Sequence, residues 1–268
     1  MSQPNHMTLR TLFQKLDFDS NNVAAYFLDA EENEFRRLVM QFDSNVGKNT
    51  PETAASSRAI LEQLEQSEKF MSDRLKRQYI MRMRANLLYT EIEGEINAAF
   101  GMVELSPTEK GEVRKITPLS SESLRKQDEM EKLINEALKI TIPEFNLHYL
   151  HEYYLSLAET DMVHMLAKLY RRKNDLDGAI KICRQMQESV ESIQTSGAEK
   201  AAKYTTIMYT LDLMLNEKGE HTEAIKACDA ALEVAHMGFR HILHPFIYFY
   251  KAEATFALGD KEAALDVA

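Results

Sequence analysis

The amino-acid sequence predicts an all-α protein assembled from stacked pairs of helices. Long segments rich in Ala, Leu, Glu, Lys and Met favour helix, and only 9 Gly and 6 Pro interrupt them. Apolar residues recur at the spacing of one helix face. A pattern of helix, polar turn and helix occurs three times in the C-terminal half, which is typical of a repeat architecture.

Composition narrows the classes of function. The 268 residues carry a formal net charge of −10, which disfavours binding to a nucleic-acid backbone, so contact with DNA would need a separate basic domain. Cys183 and Cys228 both lie in helical patterns, which indicates buried thiols in a reducing compartment and not a disulfide framework. We find no signal peptide and no apolar run of the ~18 residues that a spanning helix needs, so we predict a cytoplasmic protein without a membrane segment.

Residues 1–28 form the first predicted segment. A polar turn containing Pro4 leads into a short helix with Leu9, Leu12, Phe13 and Leu16 on one face. This helix resembles the last helix of a Cro/repressor-type helix-turn-helix domain, whose DNA-reading helices would lie before residue 1. The segment is therefore predicted to be the remnant of such a domain with its linker helix; a capping helix of the stack is the alternative.

Residues 29–155 are predicted to form irregular helical repeats. Residues 31–46 and 52–66 read as a helix pair, with Phe35, Leu38, Val39 and Phe42 at helical spacing. A longer helix is predicted over 72–89, and a polar insertion near 103–121 reads as a loop. The SSES sequence then caps a helix that runs to Ile140 and ends before Pro143.

Residues 156–268 contain the three clear repeats. They run over Val163–Cys183, Met208–Cys228 and Tyr248–Leu265, with the turn sequences KNDLDGA, KGEHTEA and LGDKEAA. Ala179, Ala224 and Ala264 occupy equivalent positions, 45 and 40 residues apart. Twelve residues before each of them stand Ala167, Asp212 and Ala252, so Asp212 departs from a position where a small residue lets helices approach. The sequence stops inside the second helix of the third pair, which predicts truncation at the C-terminus.

These three segments resemble tetratricopeptide repeats, although their spacing exceeds the usual ~34 residues. That resemblance implies a right-handed solenoid. The order of a helix-turn-helix remnant, irregular pairs, the junction LINEALKITIPEFN and then the repeats is similar to Gram-positive peptide-sensing regulators of the Rgg/PlcR-like (RNPP) group. This second resemblance implies a homodimer active in quorum sensing, with a short signalling peptide in a concave groove coupled to a DNA-binding domain.

The first helix of each pair would line that groove. The side chains predicted to bind peptide are Arg82, Asn86 and Tyr89 on the earlier long helix, His164, Lys168 and Arg171 in the first clear repeat, Tyr209 and Asn216 in the second, and Phe249 and Glu253 in the third. Asn pairs with a backbone amide, Arg and Lys hold carboxylates, and aromatic rings supply contact area. The alternatives are ordinary solvated helix faces and, for Phe249 with Phe256, burial in the core.

No catalytic motif, cofactor or metal site is predicted. His148 with His151, and His241 with His244, have i, i+3 spacing but lack further ligands at a suitable distance in sequence. The protein is therefore predicted to bind a peptide or protein segment and not to be an enzyme. Two alternatives stay open, a Rap-like regulator of response-regulator phosphorylation and a general tetratricopeptide scaffold.

Overall fold

The structure is a computed structural model that describes residues 30–48, 50–101, 119–192, 197–237 and 243–267. Every regular element in these ranges is helical, which confirms the all-α prediction. The predicted helix within residues 1–28 and most of the predicted polar insertion lie outside the described residues.

The chain divides into two compact units, with the boundary between Pro143 and Glu144. The limits predicted for the three segments stay predictions. Residues 144–155, which we assigned to the middle segment, belong to the C-terminal unit. They include a 3₁₀ helix, Leu147–Glu152, whose Leu150 is buried and whose His148 carbonyl accepts a hydrogen bond of 3.1 Å from Gln185.

The N-terminal unit contains five described helices: α1 (Ala30–Lys48), α2 (Pro51–Gln66), α3 (Glu68–Ser72), α4 (Arg74–Gly101) and α5 (Ser121–Thr141). Thr50 caps α2 in a capping box with Thr53, and Ser120 caps α5 by accepting from the Ser123 amide. The predicted helix pair and the predicted capping of α5 are confirmed. The helix expected over 72–89 was placed wrongly at both ends, because α4 begins at Arg74 and continues to Gly101.

One apolar cluster holds α1 to α4 together. It consists of Phe35, Leu38 and Phe42 from α1, Ile60, Leu61 and Leu64 from α2, Phe70 from α3, and Ile80, Met83 and Leu87 from α4. The predicted apolar face of α1 therefore points into this core, while α5 packs along α4.

The C-terminal unit contains six described α-helices: α6 (Leu157–Arg172), α7 (Leu176–Glu191), α8 (Ala198–Lys218), α9 (His221–Ala235), α10 (His244–Ala257) and α11 (Lys261–Val267). Each packs against the next along the chain, and α8 also contacts both α6 and α10. Helix α8 is buried on almost every side between Ala201 and Asn216, although this stretch includes Lys203, Asp212 and three threonines.

The three predicted turns form one repeated structure. Asn174, Gly219 and Gly259 have φ angles of +63°, +83° and +93°, and each lies five residues before its equivalent alanine. Each turn has the paired hydrogen bonds of a Schellman motif; in the first, the amides of Asn174 and Asp175 donate to the Arg171 and Tyr170 carbonyls. Ala179, Ala224 and Ala264 then make the first backbone hydrogen bond of the second helix and are buried.

Candidate functional site

Helices α6, α8 and α10, the first helices of the three repeats, bring a polar and aromatic cluster together. Its members are Arg171 of α6, Tyr209, Asn216 and Glu217 of α8, and Tyr250 of α10. We call this set the first-helix cluster. Arg171, Tyr209 and Asn216 were predicted from sequence, and the structure brings these three together.

Arg171 joins α6 to α8. Its guanidinium makes two hydrogen bonds to the Glu217 carboxylate, one of them 2.7 Å from Nε to Oε2. This bidentate geometry is the strong form of an ion pair. The Arg171 side chain is mostly buried, whereas that of Glu217 is exposed. The pair therefore presents an anchored cation at the edge of the cluster.

Aromatic rings join α8 to α10. The Tyr209 ring centroid lies 6.0 Å from that of Tyr250 and 6.3 Å from that of Phe246, and Phe249 lies 5.4 Å from Tyr250. Burial raises the pKa of both tyrosine hydroxyls; Tyr250 and Asp212 add to the effect for Tyr209, while Arg171 acts against it for Tyr250. Both tyrosines therefore stay neutral at physiological pH and can act as hydrogen-bond donors.

Three exposed phenylalanines form an aromatic stripe on α10, defined by Phe246, Phe249 and Phe256. Phe249 is 57% exposed and Phe256 is 59% exposed, so burial in the core, the alternative for these two residues, is wrong for the described structure. Large exposed aromatic side chains that lie together mark surfaces for binding. Glu253 is exposed on the same helix.

Asn216 has a structural contact that the sequence did not indicate. Its side-chain amide donates to the Tyr250 carbonyl over 3.0 Å, and its oxygen lies 3.1 Å from His221 Nδ1. The side chain is also buried. Its hydrogen-bonding groups are therefore engaged in holding α8 against α10, and its predicted role toward a peptide stays a prediction.

Asp212 is the unusual buried group of this unit. Its side chain is fully buried, and neither carboxylate oxygen accepts a hydrogen bond from an N–H or O–H group of the described residues. Its pKa is raised to about 8, mainly by burial and also by the charge of Glu253, while the Cys228 thiol beside it, a weak donor, acts in the opposite direction. Asp212 stands where the other two repeats have alanine. It therefore places a mostly neutral carboxyl group beside Tyr209 and Tyr250 of the first-helix cluster.

Five other predicted side chains are not members of the first-helix cluster. His164 and Lys168 are half-buried on α6. Arg82, Asn86 and Tyr89 are half-buried on α4 of the N-terminal unit, where the Arg82 guanidinium lies 4.7 Å from the centroid of the Tyr79 ring. Their predicted role in binding stays a prediction.

Sequence reasoning missed Glu217, Phe246 and Tyr250. The sequence could have indicated Phe246, because Phe246, Phe249 and Phe256 recur at i, i+3 and i+10 and so share one side of a helix. Nothing in the sequence pairs Glu217 with Arg171, which is 46 residues away. Lys203 was also missed. It is buried, and its ammonium donates 2.7 Å to the Leu155 carbonyl and lies 2.6 Å from a Glu199 oxygen.

No group of three or more His, Cys, Asp or Glu side chains in the described ranges is arranged to hold a metal ion. None of the helices in these ranges is both long enough and apolar enough for a bilayer crossing.

Comparison with known proteins adds no relative. No family model, no curated protein and no solved structure matches this chain.

Proposed function

We propose that this chain is the peptide-sensing domain of a cytoplasmic bacterial transcriptional regulator, built as a right-handed solenoid of tetratricopeptide-like helix pairs. The observation that carries the proposal is the exposed aromatic stripe on α10 beside the polar first-helix cluster. Three equivalent turns and the contacts of α8 with both α6 and α10 support a repeat stack.

The chemistry of this surface suits an extended peptide. The aromatic stripe offers apolar area on side chains with few rotors to freeze. A carboxylate on the peptide can compete with Glu217 for the guanidinium of Arg171. The neutral hydroxyl of Tyr250 can donate to a peptide carbonyl, whereas the hydroxyl of Tyr209 is hydrogen-bonded to Tyr250.

The regulatory part of the proposal rests on the resemblance to Rgg/PlcR-like proteins. It includes a homodimer, and contact with DNA through a separate N-terminal domain only. The acidic net charge of −10 agrees with a chain that does not itself hold DNA. The buried free thiols of Cys183 and Cys228 suit a reducing compartment. In the gene, we expect helix-turn-helix coding sequence immediately upstream of Met1; an unrelated upstream sequence would remove the regulatory role.

A peptide selection tests the binding role. The purified chain is screened against a random library of linear heptapeptides, and the selected peptide is measured by calorimetry. We expect Phe249→Ala to weaken binding about tenfold, which is the usual effect of truncating a central aromatic contact. Phe249 is exposed, so the substitution leaves the fold intact.

Tyr248→Ala is the matched control. Tyr248 is also an exposed aromatic residue of α10, at 43% exposure, but helical geometry turns it about 100° away from Phe249. We expect this variant to bind as the wild type does. Equal losses in both variants, or a screen that selects no peptide, would count against peptide sensing; a chain that ignores peptides but captures a folded protein would be a scaffold.

A further inference from the structure

The N-terminal unit contains a cavity of about 450 Å³. It lies where the end of α1 meets the first turns of α2, with α4 and α5 forming the other walls. This volume is within the range of small-molecule sites. No residue of the first-helix cluster or of the aromatic stripe lines it.

One side of the cavity has an excess of positive charge. Glu91 of α4 is held between two cations: Arg58 Nη2 lies 2.7 Å from its Oε1, and Lys126 Nζ lies 2.7 Å from its Oε2. Burial by itself would raise the pKa of Glu91, but the hydrogen bonds from Lys126 and Arg58 bring it below its ordinary value. The carboxylate therefore stays ionised, and two positive charges face one negative charge.

The beginning of α2 adds to this field. Thr50, Thr53 and Ala54 of its first turn line the cavity. The N-terminus of a 16-residue helix carries partial positive charge that favours an anion nearby. Glu52 in the same turn, whose pKa is lowered by a hydrogen bond from its own backbone amide, already offsets part of this field, so the helix end adds only weakly to the two cations.

Ser57 is an independent observation that points to a binding site. It lines the cavity and is fully buried, and its hydroxyl has no hydrogen-bond partner among the described residues. A buried hydroxyl without a partner costs about 1–3 kcal/mol, so such groups are normally satisfied. An acceptor on a bound molecule would satisfy it.

The cavity also has an open, apolar part, which lies on the same face of α4 as Glu91. Val46 and Leu87 contribute side chains to it, and Gly94 contributes none. A Cβ at Gly94 would meet no described atom within 4 Å. A ligand can therefore place an apolar group against this part of the cavity.

We propose that this cavity binds a small organic acid, with its carboxylate toward Arg58 and Lys126 and its apolar part against Val46 and Leu87. The excess of one positive charge suits a monoanion. A phosphate dianion would bring a second negative charge toward Glu91, which already occupies both cations. No residue of the proposed peptide surface lines the cavity, so this site goes beyond the proposed function.

The test uses two probes that differ by one charge, N-acetyl-L-leucine and its neutral analogue N-acetyl-L-leucinamide. Each is titrated into the full chain and followed by calorimetry and by saturation-transfer NMR. We expect the acid to bind and the amide to bind at least tenfold more weakly. No binding of the acid at about 10 mM, or equal binding of acid and amide, would overturn the proposal.

Two variants locate the binding. Lys126→Gln removes a cation of the cavity and is expected to weaken binding of the acid at least tenfold. Arg125→Gln is the matched control, because Arg125 is the neighbouring cation on α5, pairs with Glu122 and does not line the cavity. Equal affinities of the two variants would refute the assignment.

Gly94→Leu tests the same site without changing a charge. The new side chain would fill the open part of the cavity and improve the helix propensity of α4. We expect it to abolish binding of the acid. Retained binding in this variant would place the acid elsewhere, whatever the effect of Lys126→Gln on folding.

Discussion

Replacing Asp212 with Asn removes the carboxyl group that the C-terminal unit buries without an N–H or O–H donor among the described residues. Asn has almost the same size as the protonated Asp side chain. The titratable groups around the site are Cys228 of α9, Glu253 of α10 and the tyrosines Tyr209 and Tyr250. The substitution leaves all of them in place.

The raised pKa of Asp212 sets the magnitude and the sign of the change in the free energy of unfolding with pH. Below pH 3.8 the carboxyl is protonated in both the folded and the unfolded chain. As the pH rises toward the folded pKa of about 8, the unfolded chain ionises first, so the folded state loses relative stability. The loss is about 1.4 kcal/mol per pH unit and becomes constant above the folded pKa. Between pH 5 and pH 8 it amounts to about 3–4 kcal/mol.

Urea unfolding of the wild type and Asp212→Asn at pH 5, 6, 7 and 8 measures the stability that Asp212 removes as the pH rises. The other carboxylates contribute equally to both proteins, so the difference in free energy of unfolding isolates Asp212. We expect the variant to gain about 3–4 kcal/mol on the wild type over this range. Asp266→Asn, which changes an exposed Asp of α11, is the control and is expected to give a constant difference. A constant difference for Asp212→Asn as well would refute the reasoning.

Two further predictions concern groups engaged inside the C-terminal unit. Asn216→Ala is expected to lower the free energy of unfolding by about 1–3 kcal/mol in urea, because it leaves the Tyr250 carbonyl without its donor; an unchanged midpoint would contradict this structural role. Cys183 and Cys228 are expected to resist Ellman's reagent at pH 8 in the folded protein and to react in urea, because burial raises the pKa of both thiols, that of Cys183 to about 12. Rapid modification of the folded protein would show that the thiols are accessible.

The candidate site shows which features helical periodicity can predict. Spacing along α6 and α8 placed Arg171 and Tyr209 on the side that meets the neighbouring first helix. The same spacing could not show that Asn216 is covered by α10, because a helical period identifies a face and not the element that packs on it. Phe249 could be placed on a face but not declared exposed, since its burial depends on what lies beside α10.

The start and end of most helices followed from local chemistry. Ser120 before α5 and the Schellman turns at Asn174, Gly219 and Gly259 satisfy backbone groups within a few residues of each other. We predicted the end of α4 too early, at Tyr89. The sequence after Tyr89 has neither a cap nor a proline that would stop the helix, and the helix continues to Gly101.

The sequence by itself determined the all-α class, the three repeated turns and the apolar face of α1, because each depends on side-chain pattern over a short stretch of chain. Only the tertiary structure decided which polar groups are buried. Lys203 finds its carbonyl acceptor at Leu155, 48 residues away, and the cavity draws its walls from positions between Asn45 and Lys126. Burial, desolvation and charge pairing are set by neighbours in space, so the helix faces that a sequence pattern predicts become specific surfaces only when those neighbours are known.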